Sequence, residues 1–75
     1  MGRYVVSFKG RQATYAGGEL IEEQAAHEVV VEIREHPGLW VARCLADYDA
    51  HKQGRVDGPV LKIVAIYSVL PVPDA

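Results

Sequence analysis

Residues Glu19 to His36 hold six glutamates and one arginine, whereas the other 57 residues of this 75-residue chain hold seven Lys or Arg against four Asp. The segment therefore stands at −5 (six Glu less one Arg) and the remainder at +3 (seven less four). This segregation constrains the fold because the same stretch satisfies two patterns. At 100° per residue, Ala25, Ala26, Val29, Val30 and Ile33 fall on one side of a helix, and Glu23, Gln24, His27, Glu28, Arg34 and Glu35 fall opposite. Glu19, Glu22 and Glu23 would then sit at the positive end of the helix dipole, Arg34 and His36 at the negative end, with Pro37-Gly38 as a stop. Against the helix, Val29-Val30-Val31 and Ile33 are β-branched and favour a strand, which could pair with Leu39–Ala46 across His36-Pro37-Gly38. We take the helix as the expected form; both readings keep a helix over about Glu19–Ala26.

Before this segment, the alternation of Tyr4, Val6 and Phe8 with Val5, Ser7 and Lys9 predicts a strand, and Lys9-Gly10-Arg11 a turn into a second strand over Gln12–Ala16. Gly17-Gly18 ends this first hairpin. In Leu39–Tyr48 and again in Val60–Leu70, both odd and even positions are largely apolar, which predicts strands covered on both faces. The expected fold is α+β: a small antiparallel sheet with one helix on one face, in the order ββαββ. The alternative is a mostly β sheet or small barrel with the short helix. Residues 1–75 form one domain on this reading, and Pro71–Ala75, with two prolines, a frayed tail. One helix covers only one sheet face, so a second copy is expected on the other, most simply as a symmetric homodimer.

Composition sets outer limits. The chain is 49% apolar and 24% charged, an ordinary globular balance, and a net charge of −2 steers no partner class by itself. One cysteine, Cys44, forms no intrachain disulfide, and the longest apolar stretch, Val60–Val72, is broken by Lys62, Ser68 and Pro71 and is too short to span a bilayer. The expected compartment is the cytoplasm, without membrane attachment.

Candidate sites follow from residue type and spacing. Glu23, Glu28, Glu32 and Glu35, on an exposed helix face, would dock on a basic partner protein. Trp40 could anchor a subunit interface or line a ligand pocket there. Arg3-Tyr4, Phe8-Lys9, Arg11 and Tyr15 interleave basic and aromatic residues as single-stranded nucleic-acid binders do, but Tyr4 and Phe8 share the Val6 side and read as core. The pairs Glu23/His27 and Glu32/His36 point in different directions around a helix, and Asp47, Asp49 and His51 depart from the calcium-loop pattern, so no metal ligand is assigned. No nucleophile has a base or a phosphate-loop context beside it, so no catalytic residue and no cofactor are assigned. The expected function is a non-enzymatic interaction protein, an adaptor or inhibitor acting as a homodimer. The alternatives are a small-ligand-binding homo-oligomer with an interface pocket near Trp40 and nucleic-acid binding through the first hairpin.

Overall fold

The computed structural model describes residues 2–73. In chain order it contains β1 (Arg3–Ala16), β2 (Glu19–Glu23), β3 (His27–Ile33), α1 (Pro37–Lys52) and β4 (Gly58–Val72). The fold is α+β, with an antiparallel four-stranded sheet and one helix, but the order is βββαβ and not ββαββ.

β1 is the centre of the sheet. Tyr4–Gly10 pair with β3 and Ala13–Ala16 with β2, while β4 pairs along almost the whole of β1. A strand has two edges, so β2 and β3 lie end to end on one side of β1 and β4 lies on the other. The sheet is three strands wide, and its two outer edges are β2/β3 and β4.

The expected turn at Lys9-Gly10-Arg11 does not form, and β1 runs straight through it. Gly10 is there for space: a Cβ on it would lie 2.8 Å from Phe8 Cε2 and 3.0 Å from Leu61 Cδ1. The hairpin turn is Gly17-Gly18, with φ of 58° and 82°, between the paired residues Ala16 and Glu19. Positive φ at both central residues is what a two-residue turn matching strand twist requires.

Strand chemistry therefore prevails over Glu19–Ile33, and no residue of that segment is helical. Val29 and Val31 pack with Ile33 on the core side of β3, while Glu28, Val30 and Glu32 are exposed. The only helix among the described residues falls where a two-sided strand was expected, at Leu39–Tyr48. Its start is fixed by Pro37 in the first turn and by the His36 ring, whose Nδ1 accepts from the Gly38 amide at 3.0 Å. Its end is a Schellman cap: the Arg55 amide reaches the Ala50 carbonyl, the Gly54 amide the His51 carbonyl, and Gly54 takes φ 78°. Trp40, Cys44, Tyr48 and His51 recur at helical spacing toward the sheet, and Leu39 and Leu45 remain exposed.

Phe8, Val6, Ile33 and Trp40 form the main core cluster, and Ala13, Tyr15 and Val60 a second one flanked by Tyr48. α1 packs along β1 and β4 on one face only, and no other described element covers the opposite face. Pro71 and Val72, expected in a frayed tail, belong to β4, and residues 74 and 75 lie outside the described residues.

Candidate functional site: the two edges of the sheet

The edges differ sharply in chemistry. β2/β3 carries Glu19, Glu22, Glu23, His27, Glu28 and Glu32. β4 has no charged residue from Ile63 to Val72. On that stretch Val64, Ile66, Tyr67, Val69 and Leu70 are each between 39% and 59% exposed. The outward-facing backbone N–H and C=O groups of such an edge have no partner in the sheet, which makes it a template for another strand. Charge protects β2/β3 from that fate; β4 carries none there, and only its two register slips and the prolines near its ends blunt it.

Local sequence explains the shape of the β4 edge. The pairing with β1 slips by one residue between Ser7 and Phe8 and again between Lys9 and Gly10, leaving Tyr67 and Val64 as extra residues on β4. Such slips bend and twist a strand but add no charge. Pro59 and Pro71 lie near its two ends, and proline within a sheet is confined to edges because it lacks an N–H. Both fall at strand ends, outside Val60–Leu70, whose apolar character on both sides reads from sequence as burial on both faces.

The four glutamates expected on a helix ridge do not form one. Glu23 lies at the end of β2 and is ion-paired with Arg11, and Glu32 on β3 is paired with Arg3 at 3.3 Å. Glu28 stands opposite Lys9 in the β1–β3 register. Glu35, between β3 and α1, is paired with Arg43. The basic residues of the first hairpin, Arg3 and Arg11, are thereby held by carboxylates, and Phe8 is fully buried, so these side chains do not assemble a stacking platform.

Trp40 is buried and meets Phe8 edge to face with ring centroids 5.4 Å apart. It touches an open cleft also lined by Glu32, Ile33, Arg34, Glu35 and Arg43. The indole serves the core, and charged side chains make up most of that cleft.

A polar group that sequence reasoning did not assemble lies under the other end of α1. The hydroxyls of Tyr15 and Tyr48 are 3.2 Å apart, and Lys52 and Lys62 place their Nζ atoms 5.4 and 5.6 Å from the Tyr48 ring centroid. The bond to Tyr48, with burial second, holds the Tyr15 phenol above its ordinary value. Burial likewise pushes the Cys44 thiol up, which makes it a poor nucleophile. His51 is buried with Nδ1 2.7 Å from the Asp47 carbonyl oxygen, and the Asp57 carboxylate accepts from the Gly17 amide at 2.9 Å. Among the described residues no three His, Cys, Asp or Glu side chains converge as a metal site would require, and no helix is long and apolar enough to cross a membrane.

Compared with models of known protein families, with curated proteins and with solved structures, the chain matches none.

Proposed function

We propose that this chain is a non-enzymatic protein-interaction module that works by strand addition at the outer edge of β4. One observation carries the reading: an uncharged run from Ile63 to Val72 lies on a sheet edge with its large apolar side chains exposed. Main-chain hydrogen bonds supply the affinity in this mode of recognition, and pockets for alternate side chains supply the selectivity. Folded proteins pair, cover or blunt such edges, and β4 lacks the charge that most directly repels pairing.

The test is a titration of isotope-labelled protein with a blocked synthetic peptide of the β4 sequence, residues 60–70. The reading expects amide shifts concentrated on β4. No shifts, or shifts confined to β2 and β3, would refute it.

A second reading rests on the β2/β3 edge, where Glu19, Glu22 and Glu28 are exposed. It keeps the docking of an acidic surface on a basic partner, now along a strand edge and not a helix ridge. Retention on a polylysine support that survives changing all three to Lys would dismiss it.

A further inference from the structure

Resting on the reading of β4 as the docking edge, we propose that its occupant is a second copy of this chain. The two β4 strands run antiparallel about a twofold axis normal to the sheet. The result is one continuous sheet, ordered β2/β3, β1, β4, β4, β1, β2/β3, with both α1 helices on the same face.

Charge selects the edge. A twofold antiparallel pairing sets each residue opposite one at equal distance from the axis, so like meets like near the centre. Along Ile63–Val72 that juxtaposes no charges. On β2/β3 an axis at Ile21 would set Glu19 opposite Glu23 of the copy, and one at Val30 would set Glu28 opposite Glu32, and like charges directly opposite are destabilising. Of the two outer edges, β4 is the one that pairs with itself without opposing like charges along Ile63–Val72.

Both faces of the joint gain cover. Val69 and Ile66 are paired with Val6 and Phe8 of β1, whose side chains face α1, and they remain 39% and 41% exposed. With two helices on that face, these residues lie between α1 and its copy. Leu45, 53% exposed, lines a small cavity with Cys44, Tyr48, Leu61, Lys62 and Ile63 beside the same edge, so it extends the apolar surface toward the second subunit. On the opposite face Leu70, paired with Val5, would meet the partner strand.

The five exposed apolar residues of β4 present on the order of 400–500 Å² per subunit, and with Leu45 about 550 Å², below the roughly 800 Å² per partner of a standard interface and in the range of a small one. The monomer needs the cover, since only seven apolar residues are buried among those described, and a chain of this length buries only about 60% of its unfolded surface alone.

Light scattering on the eluting protein at micromolar concentration tests the proposal, using the native chain, Tyr67→Lys and Leu70→Lys. Both substitutions fall on exposed positions, 55% and 59%, so the fold itself is spared, which circular dichroism checks. The proposal expects twice 8.2 kDa for the native chain and the single-chain mass for both variants. A native chain of single mass overturns it. So does a native dimer that both folded variants retain, because the interface would then lie elsewhere. The peptide titration separates this failure from that of the underlying reading: a monomer whose β4 amides respond to the strand peptide offers its edge to another protein, whereas a monomer that ignores the peptide removes both.

Discussion

Replacing Gly10 by alanine tests the assignment on which the long central strand depends. The added methyl would stand 2.8 Å from Phe8 Cε2, 3.0 Å from Leu61 Cδ1 and 3.3 Å from the Lys62 carbonyl oxygen, well inside ordinary contact distances of about 3.5–4.0 Å. Phe8 is 1% exposed and packed against Trp40, so its ring has nowhere to swing. Overpacking of this kind costs about 1–3 kcal/mol. Restricting the unfolded chain returns about 0.4–1 kcal/mol. The net expectation is a loss of about 1–2 kcal/mol, which at a urea slope of about 1 kcal/mol/M moves the midpoint down by about 1–2 M. Trp40 fluorescence provides the readout, at one fixed protein concentration because association would shift the midpoint. In a Phe8→Leu background Gly10→Ala should cost less, since the clashing ring atom is gone. A Gly10→Ala chain as stable as the native one, or more stable, would refute the close packing. A cost unchanged by Phe8→Leu would point to a backbone requirement at Gly10, as in a turn.

Two further outcomes follow from the titratable groups. The Tyr15 phenol is raised in the folded chain, so above about pH 10 the native state holds a proton that the unfolded state has released. The corresponding stability is complete below that pH and is lost as pH rises through the folded value. The urea midpoint of the native chain should therefore fall more steeply above pH 10 than that of Tyr48→Phe, and parallel curves would contradict the hydroxyl pairing. For Cys44, the raised thiol predicts slower alkylation by iodoacetamide at pH 8 in the folded chain than in urea; equal rates, after correction for urea, would show that its burial is not felt.

The fold class was legible in the sequence because alternation at Tyr4, Val6 and Phe8 and the apolar run after Gly58 are strong strand patterns. The order of elements was not, and two segments exchanged roles. Glu19–Ile33 has a coherent apolar side on a helical wheel, yet positive φ at Gly17 and Gly18 folds β2 directly back on β1, and the β-branched Val29, Val31 and Ile33 gain more by packing on Trp40 and Phe8. Leu39–Tyr48 passed a period-two test only because nearly every residue in it is apolar. Its helical signals were at the ends, in Pro37 and in His51, Lys52 and Gly54, where capping chemistry is local and specific. Gly10 read as a turn because a glycine beside charged residues usually is one; what it accommodates is the ring of Phe8, two residues away, and a methyl of Leu61 on β4, and no local window contains the latter. The expected surfaces suffered the same way. The acidic segment was legible as a cluster, but its place along an edge depended on β1 pairing with both β2 and β3. The need for a second copy was inferred from strands apolar on both sides; in the structure α1 covers one face of the sheet, and large apolar side chains stay exposed on both edges, Leu20, Ile21 and Val30 on β2/β3 and Val64–Leu70 on β4.

The distribution of charge between the two edges is the centre of this account, and amide hydrogen exchange reads it residue by residue. In a twofold pair, the alternate β4 amides of residues 64–70 that do not bond to β1 would bond to the second copy. Their exchange should slow as protein concentration rises from the low micromolar to the millimolar range, while the outward amides of Glu19–Glu23 and His27–Ile33 exchange at a constant rate. Exchange on β4 that is independent of concentration, or protection that grows along β2/β3 instead, would contradict the assignment of β4 as the pairing edge.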